Sequence, residues 1–247
     1  MTQLADFAAL FASARVVDLS PLIENGMPRW PTHPPLVINP TVTHEHDGYY
    51  CQTLFAAEHT GAHVDAPAHI HPDMMEHTID TLAPDALIGK ASVFDLSNLD
   101  LEAGDLVDAG DLALLENGHP EPLGTGDVAL LNYGWLHRFW RSDRRWRKYA
   151  ENAPGLTQDA ALWLAERNVR AVGADTIACD QPLREGVALQ KSYGHEDYFL
   201  PRHIYILEAL SNLHLLPPRC FFVGMPLKIS GGSGSPIRPL ALIFDGG

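Results

Sequence analysis

A mixed α/β, strand-rich fold is predicted by three observations. Short runs rich in β-branched and aromatic residues recur along the 247-residue chain, few segments of helical composition lie between them, and 46% of the residues are hydrophobic, enough for a sizeable core. The runs VVDLS (16–20), YYCQTLFAA (49–57), ASVFDL (91–96), DVALLNYG (127–134), VRAVGAD (169–175), HIYILEAL (203–210), CFFVGMPLKI (220–229) and PIRPLALIF (236–244) read as strands. Two or three helices are expected between them. Leu4, Phe7, Leu10 and Phe11 recur at helical spacing and predict a short amphipathic N-terminal helix. Thr157, after Pro154 and Gly155, suits the N-cap of a helix over 157–168, with Asp159 in its first turn. No repeat, low-complexity tract or linker divides the chain, so one domain spanning 1–247 is expected.

Charge and composition exclude several classes. Seventeen basic against thirty-one acidic residues give a net charge of −14, which repels phosphate backbones and anionic lipid. The basic run RSDRRWRKY (141–149) reads as a solvated helix face or subunit contact. No apolar stretch is long enough for a membrane span, and the N-terminus lacks the features of a secretory signal, so a cytoplasmic protein with no membrane or nucleic-acid partner is expected. Cys51, Cys179 and Cys220 lie far apart without CxxC spacing and read as reduced, buried thiols.

The chemistry concentrates in AEHTGAHVDAPAHIH (57–71), which holds four of the thirteen histidines. His59, His63, Asp65 and His69 share one parity and would face one side of an extended segment. A straight strand would put His59 and His63 ~13 Å apart, whereas two nitrogens on one ion are at most ~4.2 Å apart. The segment must bend. Gly61 can supply the bend and Pro67 can end regular pairing, which predicts a kinked strand leaving a sheet edge. Imidazoles with a carboxylate form a donor set for zinc, manganese or iron(II). His71 breaks the parity, sits in a turn-like HPD and reads as a surface histidine.

Ile204, Ile206, Glu208 and Leu210 should share one face of a later strand, leaving Glu208 among apolar neighbours and in need of a cation or a proton. No GxSxG motif supports a serine hydrolase. GGSGS (231–235) reads as a turn between strands that could approach the pocket.

HTGAHVDAPAH (59–69) resembles the signature HxGTHxDxPxH of the cyclase-family metal-dependent hydrolases, which include kynurenine formamidase and isatin hydrolase. Residues 16–34, 154–176, 206–218 and 226–242 are similar to further segments of that family in the expected order. Ala62 replaces the threonine of many members. The resemblance implies a swivelling β/β/α-type fold, with a central β-barrel-like sheet flanked by helices. It also implies that His59, His63, Asp65, His195 and Glu208 bind one or two zinc or manganese ions, that His69 is the catalytic proton donor and acceptor, and that Trp30 contacts substrate. The spacing from His195 to Glu208 is one longer than the family's, a difference Pro201 could account for, and His203 is the rival ligand. The implied reaction is hydrolysis of a C–N amide bond in a small aryl formamide or cyclic amide, by a homodimer or homotetramer. Two alternatives stay open: a metal-dependent cyclase, dehydratase or lyase, and a metal-binding module without catalysis.

Overall fold

A computed structural model describes residues 2–244. Its centre is a mixed nine-stranded sheet. In chain order the strands are β1 (Arg15–Asp18), β2 (His63–Asp65), β3 (Ile88–Asp95), β4 (Val128–Asn132), β5 (Ala171–Ala174), β6 (Tyr205–Glu208), β7 (Arg219–Val223), β8 (Gly234–Pro236) and β9 (Leu240–Ile243). Across the sheet they run β1-β9-β7-β3-β4-β5-β6-β2-β8, with β3, β4, β5 and β6 parallel and the other pairs antiparallel.

The connection from β8 to β9 requires this sheet to curl. Only residues 237–239 separate the two strands, a reach of at most ~15 Å, yet seven strand spacings, ~34 Å if flat, lie between them. The sheet accordingly rolls into a half barrel. The run 236–244 therefore splits in two, and Pro239, lacking an amide proton, suits the crossing.

The parallel strands are buried on both faces. Ala129, Leu131, Val172 and Ile206 enter the larger apolar cluster, while Val128, Leu130, Ala171 and Leu207 enter the second one behind the sheet. Helices α2 (Ala109–Glu116) and α3 (Gln158–Glu166), following the N-terminal α1 (Gln3–Ser13), add Leu112, Ala160, Ala161 and Leu164 to the larger cluster. The Thr157 hydroxyl accepts from the Ala160 amide at 3.3 Å, as the expected N-cap.

Several expectations are corrected. Leu210 does not share the face of Ile204, Ile206 and Glu208, because Ala209 at φ 54° turns the chain and sends Leu210 into the second cluster. The strand at 51–55 stands outside the main sheet, paired with Val37–Val42 in a separate hairpin whose residues are mostly exposed. Cys51 lies on that hairpin and is exposed, so of the three free thiols only Cys179 is fully buried. Helix α1 forms, but no residue of it is buried. Among the described residues no helix is long and apolar enough to cross a membrane.

Candidate metal centre

Strand β2 is too short to carry the whole histidine cluster, and its two ends explain why. Gly61, at φ +65°, bends the chain before it, and a 3₁₀ turn at Pro67–His69 ends it. The bend brings the His59 and His63 rings to 5.2 Å between centroids. Contrary to expectation, β2 does not lie at a sheet edge, because β8 pairs with its outer side. That pairing uses Gly234, Ser235 and Pro236, and Ser233 beside them contacts His59 at 2.9 Å, although no residue of 231–235 lines the cavity itself.

Register completes the site. His63 lies opposite Glu208, and Asp65 opposite Ile206, in the antiparallel pair of β2 with β6. Opposed residues project to one face. His63 Nε2 is 3.3 Å from Glu208 Oε2 and 3.5 Å from Asp65 Oδ1. From a π-helical turn at Gly194–Tyr198, His195 brings its Nε2 to 3.4 Å from Asp65 Oδ2 and 3.5 Å from Glu208 Oε1. All four side chains are buried. Donor atoms sharing an ion at ~2.1 Å stand at most ~4.2 Å apart, so this set fits a divalent cation. Among the described residues three groups could hold an ion: His63, Asp65 and Glu208; His59, Asp65 and His69; and Cys179, Asp180 and His195.

The outer ring nitrogens are held too. His63 Nδ1 donates to the Gly61 carbonyl at 2.8 Å, and His195 Nδ1 to Asp180 Oδ1 at 2.7 Å. Each bond leaves Nε2 facing the carboxylates. Burial opposes a charge on His63, but the hydrogen bond it donates to Glu208 and the charges of Asp65 and Glu208 outweigh it and raise its pKa to about 9. Burial likewise opposes charge on Asp65, yet His59, His195 and His63 hold its carboxyl well below the ordinary range. For His69 burial wins, lowering its pKa to about 4 despite the attraction of Asp65. That imidazole is neutral at physiological pH.

A cavity of about 360 Å³ opens onto these groups. His59, His63, Asp65, His195, Glu208, His69 and Trp30 all line it, so every expected site residue converges there. His69 lies against His59 with ring centroids 4.0 Å apart. Of the other aromatics, Trp135 is buried in the core and Tyr49 and Tyr50 are exposed. His203 belongs elsewhere, packed edge-on against His77 at 4.6 Å. His71 is a correction: it is half-buried, and its Nε2 meets the His195 carbonyl at 2.9 Å. The 3₁₀ turn at Pro67 swings it inward.

Reading of the sequence missed Asp180, Ser192 and His33. Asp180 and Ser192 hold the rear of His195, and no motif spacing announces either. His33 lines the pocket three residues beyond Trp30, in the same proline-rich loop that drew attention to the tryptophan.

A family model described as a putative cyclase matches residues 17–181. The chain belongs to the cyclase family. This cyclase-family chain is similar to isatin hydrolase of Roseibium aggregatum, 28% identical over 199 residues, covering 77% of this chain and 73% of that protein. It is 26% identical to kynurenine formamidase of Bacillus mycoides over 224 residues, covering 90% and 94% of the two chains. Among solved structures, isatin hydrolase A from Ralstonia solanacearum superposes with a TM-score of 0.83 at 31% identity, covering 98% of each chain. An isatin hydrolase bound to the product analogue thioisatinate gives 0.88 at 25% identity, covering 99% of this chain and all of that one.

Proposed function

We propose that this cyclase-family protein is a metal-dependent hydrolase of the C–N amide bond in a small aryl formamide or cyclic amide. One observation carries the reading: His63, His195, Asp65 and Glu208 converge at 3.3 to 3.5 Å on a cavity that also contains a neutral histidine. The relatives named isatin hydrolase and kynurenine formamidase support the substrate class.

His59, His63, Asp65, His195 and Glu208 would hold zinc or manganese, leaving His69, whose ring also lies within reach of His59 and Asp65, for proton transfer. A bound divalent ion lowers the pKa of a water towards about 7 and polarises a carbonyl oxygen. The protein's own part is positioning and proton transfer. Trp30, Ile70 and Ile177 offer an apolar wall for a planar ring. His69, uncharged because it is buried, accepts a proton from the attacking water and delivers it to the leaving nitrogen. A lyase would need the same acid and base, but hydrolysis has the named relatives behind it.

The working unit in this reading is a homodimer or homotetramer. Leu4, Phe7, Leu10 and Phe11 of α1, and Tyr49, Tyr50, Leu54 and Phe55 in and beside the hairpin, are exposed apolar side chains that a subunit contact would cover.

The test is an assay on isatin and N-formylkynurenine with metal-loaded, chelated and His69→Ala protein. Turnover of at least one substrate is expected, abolished by chelation and lowered about 10²- to 10⁴-fold by the variant. Turnover that survives both treatments overturns the mechanism.

A further inference from the structure

Resting on the metal-centre reading above, we propose that Glu58 and Ser233 form a positioning relay that orients His59 and selects Nδ1 as its metal-binding nitrogen. The Ser233 hydroxyl lies 2.7 Å from Glu58 Oε2 and 2.9 Å from His59 Nε2. It has one proton to give. A carboxylate is the stronger acceptor and the closer one, so Ser233 donates to Glu58. The serine oxygen then accepts from His59, which places the ring proton on Nε2. Nδ1 meets Asp65 Oδ1 at 2.6 Å, a hydrogen-bond contact that an ion shared by the two atoms would replace. His63 and His195 are arranged the other way, with Nδ1 engaged and Nε2 turned inward.

The backbone is built around this contact. Glu58 Oε2 also accepts from the Ser233 amide at 2.9 Å, clamping the segment at both atoms of one residue. The Ala66 amide donates to the Ser233 carbonyl at 2.9 Å, tying the serine to the end of β2. A side chain at Gly234 would put its Cβ 2.5 Å from the His59 ring, and one at Gly232 would come within 3.2 Å of Glu58 Oε1. The glycines of GGSGS therefore let Ser233 approach, and the segment is a support for the metal centre as well as a turn.

The experiment is nitrogen-15 NMR of histidine-labelled, zinc-loaded protein, together with zinc affinities for the wild type, Ser233→Ala and Glu58→Gln. The expected result is a His59 ring ligated through Nδ1 and protonated at Nε2. Ser233→Ala should weaken zinc binding about 10- to 100-fold. Glu58→Gln keeps the hydroxyl but can donate to it, so the His59 tautomer should become mixed. Ligation of His59 through Nε2, or unchanged zinc affinity in both variants, overturns the relay. A wild type that takes up no zinc instead overturns the metal-centre reading on which the relay stands.

Discussion

Asp180 Oδ1 stands 2.7 Å from His195 Nδ1, and both side chains are buried. Burial works against the Asp180 charge, but His195 and the hydrogen bonds of Gly194 and Ser192 hold its carboxyl below the ordinary range. The pair aims His195 Nε2 at Asp65 and Glu208. Asp180→Asn retains the shape but removes the charge that fixes the ring, and should lower divalent-ion affinity about 10- to 100-fold. Calorimetric titration of the purified variant with zinc or manganese measures it.

Ion uptake should expel protons. Without an ion His63 keeps its proton up to about pH 9, and His195 is raised well above its ordinary value, because Asp180, Asp65 and Glu208 outweigh burial. A ligating nitrogen must give up that proton. Binding at near-neutral pH should release about one to two protons per ion, and affinity should fall as pH falls. Calorimetry in buffers of different ionisation enthalpy reads this number, and zero release contradicts the ligand assignment.

Asp175 supplies a pH effect unconnected with metal. Its carboxylate accepts from the Tyr133 amide at 2.8 Å and the Leu136 amide at 3.2 Å, yet burial dominates and raises its pKa from 3.8 to about 7. Between those values the folded state holds a proton that the unfolded state has lost. Asp175 therefore stabilises the fold most below about pH 4, and that contribution declines through about pH 7, by roughly 4 kcal/mol in all. Asp175→Asn should flatten the decline. Urea unfolding of both proteins at about pH 5 and pH 8 decides it, and equal pH dependence refutes the assignment.

The exposed apolar faces predict self-association. Leu54→Lys with Phe55→Lys places two charges on the hairpin and should shift the proposed dimer or tetramer towards monomer, with little loss of stability, because both residues are exposed. Light scattering after gel filtration of the variant and the wild type reads the change in mass.

Much of this protein is written locally. His59, His63, Asp65 and His69 share a parity, Gly61 and Pro67 supply the two bends, and Thr157 caps its helix, because backbone freedom and side-chain donors belong to single residues. Which strands pair is a different matter. That His63 lies opposite Glu208, that β8 seals the outer side of β2, and that Asp180 reaches His195 depend on contacts between residues far apart in the chain, which no local pattern encodes. The sequence supplied the donor types and the turns that let them converge, while tertiary structure chose the register. A shift of one residue in that register would turn the ligands to the opposite face of the sheet.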